Sequence, residues 1–428
     1  MTYEKVLKQI FALHRFKKVP GLANLRVLLH TLGDPQKKLR FVHVAGTNGK
    51  GSVSTMTASV LQHSGFRTGL FTSPFVIDFR ERMQINGSMI SPEELVNVAE
   101  KVFPPLLQME RGGQEISEFE AVTALGLCWF AQQKCDLVVL EVGLGGRLDA
   151  TNVIAKPMCA VITHISYDHT EILGDTLTKI AGEKCGILKE GCNVVCAPGQ
   201  APEALAIIRQ TAKERHCFLT EAREENLQVC QSTLSGTDFQ YRGHQLHLPL
   251  AGAYQVRNAA AALACVSVLK NRCGLWQITA ETCREGLAAV KMSARFEVFA
   301  GTPPAVLDGA HNPDGAAALA DSLRRFLSGR RLAAVTGMCA DKDTGHFVHT
   351  LAPLFADAIA VPVRNPRAMP PQVLADLWQA AGVPAEAACT PLEGLAQAAT
   401  LAGSGGAVIV CGSLYLAGEV RPLLLDRE

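Results

Sequence analysis

No stretch of this 428-residue chain reaches the roughly 20 consecutive apolar residues that a membrane-spanning helix requires. The opening residues, Met1 to Leu7, are amphipathic and lack the apolar block and cleavage site of a secretory leader. Neither sign of charge is in excess: 41 Lys and Arg stand against 40 Asp and Glu, a net charge of +1. With no global field to recruit nucleic acid, phosphate must be held by a local site. The 14 cysteines include no Cys-x-x-Cys pair. Cys192 and Cys196 lie closest, and no second pair completes a zinc site, so the pattern reads as free thiols in a reducing cytosol. Tandem repeats and long low-complexity tracts are missing too.

What is present is apolar and long. Hydrophobic residues make up 48% and charged residues 19%, the balance of a soluble globular protein, and the length favours two domains. The most informative segment is Val44-Ala45-Gly46-Thr47-Asn48-Gly49-Lys50-Gly51-Ser52. It follows the apolar run Phe41–Val44 and opens onto a helical pattern. A strand, a glycine-rich turn and a helix N-terminus form a cradle of backbone N–H groups for phosphate. Lys50 adds a point charge for the outer phosphates, and a nearby hydroxyl helps to hold Mg²⁺. Gly51 stands where nucleotide loops usually carry Ser or Thr, and Ser52 follows one position later. An ordinary glycine turn is the alternative; a mononucleotide site is the favoured reading.

Beyond the loop, strand and helix patterns alternate. Gly69–Ser73 reads as a strand, Glu118–Gln132 as a helix, and Leu137–Val142, Ala160–Thr163 and Asn193–Cys196 as strands buried on both faces. Such alternation implies a mainly parallel sheet with ligands beyond the carboxyl ends of its strands. Residues 217–250 change to short pieces that suggest antiparallel β structure appended to the first domain. Asn258 is expected to begin a long alanine-rich helix. A second alternating unit starts near residue 297, with strands at Ala305–Asp308, Leu332–Gly337, Ala358–Val363 and Ala407–Cys411, a helix from about 314, and a hinge around Lys291–Glu297.

Four further segments carry candidate chemistry, three of them at strand ends. Glu141 precedes the glycine-rich stretch Gly143–Gly146, where an ATPase holds Mg²⁺. His169, in Ser166-Tyr167-Asp168-His169-Thr170, is either a structural hydrogen-bonder or a metal ligand, the latter unusual for Mg²⁺, which prefers oxygen. Lys184 falls on a helix face between Ile180 and Ile187, and a solvated lysine is the plainer reading. Asp308-Gly309-Ala310-His311-Asn312-Pro313 crowds acid, imidazole and amide at one strand end, a pattern for ligand contact.

Taken in order along the chain, these motifs resemble the folylpolyglutamate synthases and their dihydrofolate synthase relatives in the Mur ligase superfamily. The resemblance rests on residues 46–52, Thr72-Ser73-Pro74, 140–152, Asp168-His169-Thr170, Glu183-Lys184, Arg295-Phe296 and 308–313. It implies an α/β fold of two domains. Residues 1–294 would form a P-loop, ATP-binding sheet with flanking helices and the small β region, and 295–428 a smaller Rossmann-like glutamate-ligase domain. Asn48, Gly49, Lys50, Gly51 and Ser52 would contact ATP, with Asn258, Arg295 and Asp308 as further nucleotide contacts. Ser73, Glu141 and His169 match the family's Mg²⁺ positions. Ser117, Phe119, Glu120, Leu148, Asp149 and Ala150 align with segments lining its pterin site, and His311 with the glutamate side. Lys184 matches a lysine that is carbamylated in the family. Carbon dioxide adds only to a neutral amine, and holding an ordinary lysine half neutral at pH 7 takes about 4.6 kcal/mol.

The activity implied is ATP-dependent ligation of L-glutamate to the γ-carboxylate of a folate through an acyl phosphate, by a cytoplasmic monomer with neither membrane nor nucleic-acid partner. Dihydropteroate as a second acceptor stays open. The rivals are a wall-peptide ligase of the Mur type and a nucleotide-dependent folate-binding module.

Overall fold

The computed structural model describes residues 1–14 and 21–426. It is an α/β protein that divides into two compact units. The first comprises Met1–Phe75, Arg80–Asn226 and Arg257–Val290, and the second Val76–Phe79, Leu227–Val256 and Lys291–Glu428.

The first unit is built on eight strands: β1 (Phe41–Ala45), β2 (Thr68–Phe71), β3 (Met83–Ile85), β4 (Ser88–Met89), β5 (Leu137–Glu141), β6 (Cys159–Ile162), β7 (Asn193–Cys196) and β8 (Phe218–Glu221). Their order is β4-β3-β2-β5-β1-β6-β7-β8, parallel except for β3 and β4 at one edge. Every residue of β1 and β5 is buried, as expected where helices cover both faces of β-branched and leucine-rich strands. β1 lies between β5 and β6, with Val44 paired to Glu141 and to Val161. The turns leaving β2, β5, β1 and β6 are therefore neighbours at one end of the sheet. The helix Glu118–Gln132 has the bounds that its apolar spacing predicts. The alanine-rich helix is longer than expected: it runs from Ala253 to Cys273, which puts Asn258 in its second turn instead of at its start.

The second unit holds two sheets. β9 (Leu227–Thr233), β10 (Gly236–Tyr241) and β11 (His244–Leu248) form an antiparallel sheet. From sequence this region reads as an appendage of the first domain, whereas it packs within the second unit, where Ala251 joins a buried cluster with Phe296, Leu319 and Leu323. The other sheet takes β12 (Glu297–Phe299), β13 (Ala305–Leu307), β14 (Leu332–Thr336), β15 (Asp357–Ala360), β16 (Ala385–Ala387) and β17 (Ala407–Cys411) in the order β12-β13-β17-β14-β15-β16, with only β12 antiparallel. All 14 cysteines are free thiols, and no described helix is long and apolar enough to cross a membrane.

Candidate active site

β1 ends at Ala45 and the chain turns through Gly46–Gly49 into the helix Lys50–His63. A Cβ on Gly46 would come within 1.8 Å of Thr163 Oγ1, so the loops after β1 and β6 touch only because this residue has no side chain. Gly49 adopts a left-handed φ of 85°, and no side chain caps the helix that follows. The dipole and first-turn amides of a 14-residue helix thus lie at the mouth of the loop. The loop after β6 fixes its shape. Thr47 N and Asn48 N donate to His164 O at 2.8 and 3.2 Å, and Thr163 Oγ1 donates to Asn48 O at 2.8 Å. Lys50 Nζ donates to Thr47 O at 3.0 Å, arching over the loop, while Ser52 is buried. Asn258 also belongs here, with its Oδ1 2.3 Å from where a Cβ on Gly49 would sit.

Glu141, at the end of β5, is 3% exposed. Its Oε2 accepts from Ser73 N at 3.1 Å, and both carboxylate oxygens lie within 3.7 Å of the Cβ position of Gly51. A buried carboxylate and the Ser73 residue thus flank the phosphate loop. An oxygen-rich set of this kind suits Mg²⁺, which takes one or two protein ligands and completes its shell with water and phosphate. The described residues contain no cluster of three or more His, Cys, Asp or Glu positioned for a metal. His169 stands in a left-handed conformation (φ 51°), its backbone N donating to Asp168 Oδ1 at 2.9 Å.

The solvated reading of Lys184 fails. Its side chain is only 4% exposed, and Nζ donates to Gly46 O at 2.7 Å, beneath the phosphate loop. Burial above all, with the charge of Lys50, draws its pKa down to about 7, against the opposing pull of Asp168 and Asp149. Helical spacing gave no sign of this, because the crowding comes from the loops after β1 and β5. The loop after β5 reaches it directly: Arg147 N donates to Glu183 O at 2.9 Å, and Asn152 Nδ2 donates to Gly186 O at 3.2 Å.

The two stretches expected to line the second substrate behave differently. Phe119 and Asp149 converge at Gly143, where a Cβ would meet the Phe119 ring at 2.6 Å and Asp149 Oδ2 at 3.2 Å. Asp149 is buried, Leu148 is exposed, and Ala150 is buried beside them in sequence. Ser117 and Glu120 form a capping box on the helix Glu118–Gln132. Ser117 N donates to Glu120 Oε2 at 2.9 Å and Glu120 N donates to Ser117 Oγ at 3.3 Å. The Ser-x-x-Glu spacing ahead of an apolar run carried that signal. Thr163, which shapes the phosphate loop, was missed; its only mark in the sequence is its place at the end of β6.

In the second unit Arg295, Asp308 and His311 come together. Asp308 follows β13 and is 6% exposed. Its Oδ1 accepts from Ala310 N and its Oδ2 from Phe296 N, both at 2.8 Å. These bonds hold a strained segment, since Ala294 and Phe296 on either side of Arg295 both have left-handed φ, 55° and 51°. Burial raises the pKa of Asp308, with Arg295 pulling it back. Tyr254, unremarked in sequence, reaches the same carboxylate through its hydroxyl at 3.5 Å. His311 Nδ1 lies 2.8 Å from Gly309 O, so Nδ1 carries a proton that it donates to the carbonyl. Asn312 caps the helix Pro313–Phe326 by accepting from Gly315 N at 2.8 Å.

Family models match on both sides: the Mur ligase middle domain over residues 44–266, and the Mur ligase glutamate ligase domain over residues 294–414. The chain is 36% identical to the folylpolyglutamate synthase of Lacticaseibacillus casei, over 99% of each chain. It is 35% identical to the dihydrofolate synthase/folylpolyglutamate synthase of Bacillus subtilis, again over 99% of each. The structure of the Mycobacterium tuberculosis folylpolyglutamate synthase complexed with ADP superimposes with a TM-score of 0.91 at 31% identity, covering 99% of this chain and 98% of that one. The chain belongs to the folylpolyglutamate synthase and dihydrofolate synthase family of the Mur ligase superfamily.

Proposed function

We propose that this protein is an ATP-dependent ligase that joins L-glutamate to the γ-carboxylate of tetrahydrofolate and its polyglutamates. The observation that carries the reading is the group at one end of the first sheet, where an uncapped phosphate loop, a buried carboxylate and a desolvated lysine lie on neighbouring strand turns. The folate carboxylate attacks the γ-phosphorus of ATP, giving an acyl phosphate and ADP. The glutamate amine then attacks the acyl carbon, phosphate leaves, and one proton is released as the amide forms. The loop amides and Lys50 neutralise the transferring phosphoryl oxygens. Asn48, Gly49, Gly51 and Asn258 shape the nucleotide's seat.

Glu141, Ser73 and His169 would hold Mg²⁺; the ion when bound supplies charge neutralisation on phosphate. Lys184 is suited to carbamylation, because an amine with a pKa near 7 is substantially neutral at physiological pH. Its carbamate would be an anion facing Lys50. Phe119 and Asp149 are assigned to the pteridine, Arg295 and Asp308 to the nucleotide. His311 is assigned to the incoming glutamate. Dihydropteroate is the second acceptor we propose, favoured by the bifunctional relative from Bacillus subtilis.

The test is incorporation of radiolabelled glutamate with ATP and either tetrahydrofolate or dihydropteroate. Stoichiometric ADP and a glutamylated folate are expected. Turnover of a UDP-linked peptide with both folates untouched would move the protein to the wall-peptide branch. ADP release that ignores glutamate would make it a nucleotide-dependent switch.

A further inference from the structure

The loop after β5 owes its shape to a buried polar chain that starts on the central strand. Thr151 N donates to Asp149 Oδ1 at 2.9 Å, and the Thr151 hydroxyl makes a short bond to the same oxygen. Asp149 Oδ2 accepts from Leu144 N at 2.9 Å. A hydroxyl has one proton, and here it goes to the carboxylate. The lone pairs of Thr151 Oγ1 therefore face His43 Nε2, 2.9 Å away, and the imidazole must be the donor. His43 belongs to β1 and is completely buried, and burial keeps its ring neutral, with a pKa of about 3. With Nε2 protonated, Nδ1 becomes a bare acceptor, and it has no hydrogen-bond partner among the described residues. An orphaned buried acceptor is unfavourable by about 1–3 kcal/mol, a penalty an aliphatic residue on this strand would not carry.

We propose that His43 is a positioning residue of the folate site. Its Nε2–H orients the Thr151 hydroxyl, which holds the Asp149 carboxylate against the Leu144 amide and beside the Phe119 ring. The inference rests on the assignment of Asp149 to the folate. His43 itself touches no substrate; it acts through two intermediates.

The test measures KM for tetrahydrofolate, ATP and glutamate, with kcat, on the full chain carrying Asp149→Ala, Thr151→Val, His43→Leu or His43→Gln. Loss of the hydroxyl bond to the Asp149 carboxylate in Thr151→Val, or of the imidazole N–H that orients that hydroxyl in His43→Leu, should raise KM for tetrahydrofolate about tenfold, with KM for ATP and glutamate moving less than about twofold. His43→Gln keeps a side-chain N–H donor and should recover most of the loss. Thr151→Val is nearly isosteric, so it tests the same link should His43→Leu fail to fold. The proposal is overturned if the three KM values rise together, if only kcat falls, or if His43→Gln is as poor as His43→Leu. An unchanged folate KM in Asp149→Ala removes the assignment of Asp149 and this inference with it. A raised KM there, with the His43 and Thr151 variants unaffected, removes the inference alone.

Discussion

Lys184 bears a large electrostatic penalty beneath the phosphate loop. A fall from 10.5 to about 7 corresponds to roughly 5 kcal/mol against the buried ammonium. The folded pKa lies below the unfolded one, so between those two values the unfolded chain binds more protons. Stability therefore rises with pH across that window, and the full penalty applies at and below pH 7. Lys184→Met, compared with the parent in buffer free of carbon dioxide, should be more stable by a few kcal/mol near pH 6.5, the gain fading as pH approaches 10. Urea melts at both ends of the range measure this, and an equal difference at each would show that burial is not the cause. The same neutral amine is the form to which carbon dioxide adds. Lys184→Ala should lose ligation by about a hundredfold, the scale of one lost electrostatic group in an active site. Acetate or propionate should restore part of it by occupying the place of the carbamate. Full activity without rescue would dispose of the modification.

At the scale of elements, the fold turns on how closely two strand ends approach. Gly46 and Thr163 leave β1 and β6 side by side, and a methyl group at Gly46 would overlap the Thr163 side chain. Gly46→Ala must push the two turns apart, removing the bonds from Thr47 and Asn48 to His164. ADP affinity should drop by about a hundredfold or more, as expected when several loop contacts are lost together, while the helix content of the sheet's flanks persists. Calorimetric titration beside circular dichroism separates these effects, and tight ADP binding by the variant would refute the packing argument. The elements themselves were largely legible. Continuous apolar runs marked β5, β6 and β7, and strand-turn-helix texture marked the phosphate loop, because these signals are local. What could not be read was contact between distant turns. Lys184 looked solvated since its own helix gives no hint that Gly46 lies over it. The Ser-x-x-Glu spacing of Ser117 and Glu120 is also that of a helix cap, and the long helix starts at Ala253, ahead of its alanine run.

For the whole molecule, the compact units do not divide at residue 294, where the sequence suggests a boundary. The chain passes from one compact unit to the other after residues 75, 79, 226, 256 and 290. Two segments that lie before residue 294 complete the second unit. Ala251 is buried with Leu319, Leu323 and Phe296, and Leu234 packs on the same cluster. Val76 lies against the helix Leu414–Leu425, where a Cβ on Gly418 would come within 1.9 Å of the Val76 carbonyl. A fragment of residues 1–294 would keep the whole first sheet and phosphate loop, yet expose the apolar side of the β9–β11 region and the strand-turn segment at 76–79. Exposed patches of that kind drive association. The fragment should bind a hydrophobic dye strongly and self-associate in sedimentation, whereas supplying residues 295–428 in trans should reduce both. A monomeric 1–294 fragment that melts cooperatively and binds no dye would show that residues 227–256 need nothing beyond residue 294, and that the second unit is assembled differently from the way its buried cluster requires.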